Sequence, residues 1–251
     1  MAVKLKAIIL IGGPAKGTRF RPLSLDVPKP FFPIGGFPIL SHHIEAFTHI
    51  EGINEIIILG FYQPNAHLSK IIESYTRKCK ISIRYLQEFT CLGTAGGLYQ
   101  FRDQILSGSP DLIFVMNSDV CGDIPFEEMI DFSLKKTKDC FLILGTEATD
   151  QQSKQFGCIV EDPLTHEVLH YVEKPSTFVS NLINCGIYLF TPGIFKFLRV
   201  AYLSKEEQNG DDQKLIKESI NLEKEVFQPL ASSKHLYVLK TKRFWSQIKN
   251  T

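Results

Sequence analysis

The sequence predicts an α/β domain with a mostly parallel sheet covered by helices on both faces. Three observations carry this reading. Short runs rich in β-branched and apolar residues alternate with helix-periodic segments through the first half of the chain. These strand-like runs are continuously apolar, as expected of strands buried on both sides. A length of 251 residues with 44% hydrophobic side chains is enough to fill such a core, in one large domain or two small ones.

The elements follow in order. Lys4 to Ile11 reads as a buried strand, and Gly12 to Gly36 as a Gly/Pro-rich loop too long to be a mere connection. Ile39 to Ile50 has helical periodicity, and Glu55 to Leu59 is a strand with three isoleucines in a row. Asn65 to Cys79 reads as a helix and Ile81 to Leu86 as a strand. Thr94 to Ile105 is a helix after a Gly-containing turn. Leu112 to Met116 is a strand ending at Asn117-Ser118-Asp119; Glu127 to Lys136 is helical and Cys140 to Leu144 is again a strand. The second half changes character. Cys158 to Glu161, Val168 to Val172 and Ile183 to Phe190 are strands separated by turn residues such as Asp162-Pro163. Lys205 to Lys214 is polar and reads as an exposed loop or helix start, and Leu236 to Leu239 is a last strand.

Composition excludes some functions. The 28 basic and 27 acidic side chains leave a net charge of +1, with no overall field for nucleic acid or an anionic membrane. The apolar run Ala7 to Ile11 is too short to span a bilayer and leads into glycines, so it reads as a first strand and not a signal peptide. Ala2 excludes N-myristoylation. The six cysteines form no C-x-x-C pair and lie at no zinc-ligand spacing. They read as small core residues of a reducing compartment, the cytoplasm.

The Gly12 to Leu23 loop follows the first strand directly. Such a loop can turn several backbone N–H groups toward one anion. Arg19, Arg21 and Lys29 add charge suited to a polyphosphate. The loop is neither a Walker A motif nor a G-x-G-x-x-G fingerprint. Its length, its cations and the following Val27-Pro28-Lys29-Pro30 favour phosphate binding over a tight turn alone.

Gly17-Thr18-Arg19-Phe20-Arg21-Pro22-Leu23-Ser24 with Val27-Pro28-Lys29-Pro30 resembles the signature of the NDP-sugar pyrophosphorylases, the sugar nucleotidyltransferase family. Leu92-Gly93-Thr94-Ala95-Gly96-Gly97, Asn117-Ser118-Asp119-Val120, Val172-Glu173-Lys174-Pro175 and Asn184-Cys185-Gly186-Ile187-Tyr188 follow in that family's order. The resemblance covers nearly the whole chain. The Gly13 to Gly17 loop, the run Tyr85 to Phe89 and Phe244 to Ile248 are similar to the alpha-type branch of the eukaryotic mannose-1-phosphate guanylyltransferases.

The resemblance implies a three-layer, Rossmann-like nucleotidyltransferase fold over residues 1–251. Residues 1–150 would be the nucleotide-binding half and 151–251 the sugar-binding half. The left-handed β-helix that follows in this branch has no hexapeptide repeat here, so the domain is expected to be truncated at its C-terminus. The resemblance assigns Arg19, Lys29 and Lys174 to phosphates, and Gly12, Gly13, Gly17, Gln87 and Gly93 to the nucleotide. It assigns Gly157, Glu173 and Asn184 to the sugar, and Asp119 to a magnesium ion. The family reaction joins a sugar 1-phosphate to a nucleoside triphosphate and releases pyrophosphate. Charge neutralisation and in-line positioning supply its catalysis.

Two departures bear on activity. Active members have a compact Gly-Gly-x-Gly-Thr-Arg loop, whereas Pro14-Ala15-Lys16 separates the glycines here, and Pro14 has no N–H to offer. Active members also carry Trp-x-Asp-Ile-Gly, whose Asp is the second metal ligand. The matching stretch is Trp245-Ser246-Gln247-Ile248-Lys249, so neutral Gln247 stands in place of that ligand and magnesium should bind weakly. Three readings follow. The chain is a regulatory, GDP-mannose-binding member acting on a catalytic beta-type guanylyltransferase subunit, or an active enzyme making GDP-mannose from GTP and mannose 1-phosphate, or an assembly module without ligand. The two departures favour the first, and the retained cations weigh against the third.

Overall fold

A computed structural model of the chain describes residues 3–14, 20–136, 139–209 and 219–248. The strands are β1 (Leu5–Gly12), β2 (Pro33–Ile34), β3 (Phe37–Pro38), β4 (Ile53–Gly60), β5 (Ser82–Gln87), β6 (Leu112–Asn117), β7 (Val120–Gly122), β8 (Phe141–Glu147), β9 (Gly157–Glu161), β10 (Val168–Glu173), β11 (Leu182–Phe190), β12 (Leu236–Thr241) and β13 (Trp245–Gln247). The α-helices are α1 (Ile39–Thr48), α2 (Ala66–Cys79), α3 (Gly93–Gln100), α4 (Arg102–Leu106), α5 (Phe126–Leu134), α6 (Asp150–Ser153), α7 (Ile194–Asn209) and α8 (Gln228–Leu230). A π-helical segment, Leu222–Phe227, precedes α8.

The main sheet has nine strands. Along it run β10, β9, β11, β6, β1, β4 and β5, with β8 paired to β11 and β12 to β8. Its centre is mostly parallel, as the sequence predicts: β5, β4, β1 and β6 are parallel neighbours, and β12 runs parallel to β8. β11 enters antiparallel to both β6 and β8 and joins the β9–β10 pair to the rest. Every residue of β11 is buried, which explains a strand that is apolar but for Asn184 and the Tyr188 hydroxyl.

Side-chain alternation along β1 builds two cores. Ile8 and Leu10 pack with α3, α4, α7 and the π-helical segment, whereas Ala7, Ile9 and Ile11 pack with α1, α2 and α5. This is the expected three-layer arrangement, with the sheet between two helical layers. Helix α2 begins as its sequence suggests: the Asn65 side chain caps it by accepting from the Leu68 N–H.

Several expectations need correction. The single helix expected over Thr94 to Ile105 is two, because Phe101 leaves helical geometry (φ −96°, ψ 17°) as its ring packs against the core. Lys205 does not start a helix or a loop; residues 205–209 end α7, which begins at Ile194. Ile194, Phe195, Leu198 and Ala201 give α7 a buried helical stripe. The remainder of that expected segment, 210–214, lies outside the described residues. Cysteine burial is also only half as expected. Cys140, Cys158 and Cys185 are buried, but Cys91 and Cys121 are exposed, and all six are free thiols.

Candidate functional site

A cleft of about 350 Å³ opens where the C-terminal ends of the parallel strands meet. Strand β1 sits between β4 and β6, so the chain leaves it on one side and later returns on the other. Such a switch point leaves a crevice beyond the strand ends, which is where open α/β sheets bind ligands. Gly12 at the end of β1, Gly13 after it, Lys29, Gly93, Asp119, Gly157, Glu173, Lys174, Asn184 and Gln247 all line it. Motifs separated by most of the sequence therefore meet in one place.

Two predicted residues, Gly17 and Arg19, lie outside the described residues, as does Lys249. Arg21 is exposed and is not among the described residues lining the cleft. Gln87 is not among them either; its neighbour Glu88 is, and is buried. The correction has a simple origin. Glu88 follows β5 directly, and its carboxylate packs against Gly97 of α3, where no larger residue would leave it room. Gly93 has φ of 82°, a left-handed conformation open to glycine, and a Cβ there would collide with the Ile220 carbonyl.

One end of the cleft is built around Asp119. It follows β6 at the turn into β7. Strand β13 pairs with β7, Gln247 opposite Val120, and Ile248 N–H donates to the Asp119 carbonyl at 2.8 Å. This pairing, not visible in the sequence, brings Gln247 onto Asp119: its Nε2 donates to Oδ1 at 3.4 Å. Lys29 Nζ lies 3.4 Å from the other oxygen, Oδ2, in an ion pair largely shielded from water. The Gln247 amide oxygen is buried without a hydrogen-bond partner among the described residues.

A hard divalent cation needs several oxygen ligands, with carboxylates foremost. Here the one carboxylate at the strand end is paired with an ammonium and faces an amide N–H. The donor set does not fit a tightly held magnesium ion.

The other end of the cleft carries a hydrogen-bonded chain. Strand β10 ends at Glu173, and Lys174 adopts φ of 47°, a left-handed conformation uncommon outside glycine. Its N–H donates to the Phe156 carbonyl, and its Nζ lies 3.2 Å from Glu173 Oε1. A register shift between Asn184 and Tyr188, with Gly186 at φ of 76°, bends β11 at the cleft. Asn184 Oδ1 accepts from the Gly186 N–H, while its Nδ2 donates to both Tyr171 and Tyr188 hydroxyls. Gly157 packs against this chain, where a Cβ would overlap the Tyr171 hydroxyl and lie 2.9 Å from Glu173 Oε2.

Sequence reasoning missed Glu223, which also lines the cleft. It accepts from Thr94 Oγ1 at 2.9 Å and from the Tyr188 hydroxyl at 3.5 Å. Burial, reinforced by the nearby Glu173 carboxylate, pushes its pKa above the ordinary value. Burial likewise pushes Tyr171 and Tyr188 well up, so both stay protonated donors. Beneath Asp119, His43 bonds the Ser118 carbonyl, and burial lowers its pKa.

A cleft at the strand ends of an α/β sheet, with glycines and Lys29 at one side and a polar carboxylate–tyrosine chain at the other, marks the ligand-binding α/β class, and the chain belongs to the nucleotidyl transferase family, whose model matches residues 6–246. Among its relatives, the mannose-1-phosphate guanylyltransferase regulatory subunit alpha-A of Danio rerio is 56% identical over 98% of this chain and 60% of its own length. The regulatory subunit alpha of Homo sapiens is 52% identical over 98% of this chain and 59% of its own length. The chain thus spans about three-fifths of the length of these relatives. Among solved structures, a Bacillus anthracis protein named for glucose-1-phosphate thymidylyltransferase, crystallised with sucrose, matches with a TM-score of 0.78 at 17% identity, covering 98% of this chain and 90% of its own. HddC from Yersinia pseudotuberculosis matches at 0.68 with 22% identity, covering 98% and 94%. These two similarities establish the fold. Among the described residues, no helix is long and apolar enough to cross a membrane.

Proposed function

We propose that this chain is the nucleotide-sugar-binding domain of a regulatory, alpha-type guanylyltransferase subunit. It binds GDP-mannose in the cleft without turning it over and acts on a catalytic beta-type partner in the cytoplasm. The observation that carries the reading is the state of Asp119, paired with Lys29 and hydrogen-bonded by the Gln247 amide. A family that uses a divalent metal would there need a second carboxylate. An ammonium is instead already in place to meet a diphosphate without one.

The nucleotide half, 1–150, would supply Gly12, Gly13, Gly17, Arg19 and Lys29 to the phosphates and Gly93 to the base. Glu88 replaces Gln87 as the base-reading residue. Its carboxylate is acceptor-only when ionised, which suits the N1–H and N2 amino donors of guanine. The half 151–251 would supply Lys174 to the sugar's phosphate and Gly157 and Glu173 to the mannosyl group, with Asn184 holding the sugar pocket in place. The names of the relatives support the regulatory role and a catalytic partner.

Calorimetry with GDP-mannose, GTP and mannose 1-phosphate, with and without magnesium, tests the binding claim. GDP-mannose should bind with little magnesium dependence. A pyrophosphate-release assay tests the rest: turnover at rates typical of enzymes, on the order of 1–1000 per second, would establish the active-enzyme reading instead.

A further inference from the structure

We infer that Glu223 is a second acceptor for the sugar's hydroxyls, paired with Glu173 through a hydrogen-bonded relay that Asn184 polarises; this rests on the nucleotide-sugar reading above. The argument is one of satisfiability. The Gly186 N–H, 2.7 Å from Asn184 Oδ1, orients the amide, so Nδ2 must face the two tyrosines. It donates to the Tyr171 hydroxyl at 2.9 Å and to the Tyr188 hydroxyl at 3.0 Å. Both amide hydrogens are then committed, and each phenol, having accepted one bond, has its own proton to give.

Tyr171 gives its proton to Glu173 Oε2 at 3.2 Å, and Tyr188 gives its proton to Glu223 Oε1 at 3.5 Å. A single buried amide therefore aims two carboxylates into the same cleft, one from β10 and one from the π-helical segment. Asn184 has no N–H left for a ligand and acts as a positioning residue.

Glu223 has capacity to spare. Two carboxylate oxygens offer about four acceptor sites, and the contacts to Thr94 and Tyr188 use two. Thr94 in turn accepts from the Leu222 N–H at 2.8 Å, so its hydroxyl proton can go only outward, to Glu223. Lys174 beside Glu173 is a donor for the adjoining phosphate, but Glu173, Glu223 and the groups that tie them together turn acceptors to the ligand, and the complementary ligand face is a set of hydroxyl donors. A π-helical turn is an uncommon backbone form that recurs at functional sites, and here it carries the carboxylate. A pyranose with two or more free hydroxyls on one edge fits the pair.

The test is calorimetry of the 251-residue chain and its Glu223→Gln variant with GDP-mannose and with GDP, which lacks the sugar. We expect Glu223→Gln to weaken GDP-mannose roughly ten- to hundredfold, the loss of one charged hydrogen-bond acceptor, and to leave GDP unchanged. Unchanged GDP-mannose affinity overturns the inference. So does an equal loss for both ligands, which would mean that Glu223 acts through Thr94 on α3. A wild-type chain that binds neither ligand overturns the proposed function itself, and the sugar role with it. If Glu223→Gln does not fold, monodeoxy GDP-mannoses titrated into the wild type decide the matter. Removal of either of two different hydroxyls must weaken binding, and a loss confined to one hydroxyl leaves Glu173 as sole acceptor.

Discussion

Gln247→Asp restores a second carboxylate beside Asp119, and the geometry sets what should follow. The Gln247 amide nitrogen is 3.4 Å from Asp119 Oδ1, and an aspartate is one methylene shorter. Its oxygens would sit about 4–5 Å from Asp119. At an effective dielectric near 20, two like charges at that distance repel by about 3–4 kcal/mol. Lys29, 3.4 Å from Asp119, offsets part of this. A divalent cation relieves the remainder, so magnesium affinity should rise. At a magnesium concentration ten times its dissociation constant, binding adds about 1.4 kcal/mol of stability. For a domain of this size that raises the Tm by about 3–5 °C. Thermal melts of both proteins across a magnesium series read the effect directly. The variant should gain and the wild type should not, while GDP-mannose affinity in the absence of metal stays near the wild-type value. Turnover should remain low, because the Pro14-Ala15-Lys16 insertion between the glycines is expected, from the resemblance, to misplace the α-phosphate for in-line attack. Equal magnesium shifts in the two proteins would refute the reasoning, since Gln247 would then already be an adequate ligand.

Three other outcomes can be checked. Lys29→Ala should weaken GDP-mannose binding by about 1.5–3 kcal/mol, the worth of a charge-assisted bond, and Arg19→Ala is expected to do the same on sequence grounds alone; unchanged affinity by calorimetry in both removes the phosphate assignment. Glu88→Gln should erase most of the preference for GDP over IDP, which lacks the 2-amino donor, by roughly tenfold or more; a retained preference places guanine elsewhere. The pKa of Glu223 is raised in the folded chain, so the folded state holds its proton to higher pH than the unfolded state does. Stability from this group is therefore present at acid pH and lost as pH rises through the folded pKa. The Tm of Glu223→Gln minus that of the wild type should grow as pH rises from the ordinary carboxylate range towards neutrality, and a flat difference would show that burial does not perturb the group.

The sequence by itself determined the layered α/β architecture and the end of the sheet at which chemistry would gather. Apolar continuity marks a strand as buried on both faces, and Gly-rich or acidic turns after such strands have nowhere to lie but the crevice beyond them. Gly12, Gly13, Lys29, Gly93, Asp119, Glu173 and Lys174 were assigned by their place in an ordered set of family-like motifs, and the fold gathers all seven around one cleft. Glu88, just beyond β5, was not singled out, because its contact with Gly97 joins two elements. Only the tertiary structure decided the rest. That Gln247 donates to Asp119 depends on β13 pairing with β7 in one register, a contact between segments far apart in the chain. That Glu223 faces the cleft depends on a π-helical turn, and that Asn184 is spent on two tyrosines depends on a bulge in β11. Hydrophobic periodicity encodes which side of an element is buried. It does not encode which polar atoms meet across elements, because those contacts are set by register and by the twist of a sheet assembled from the whole chain.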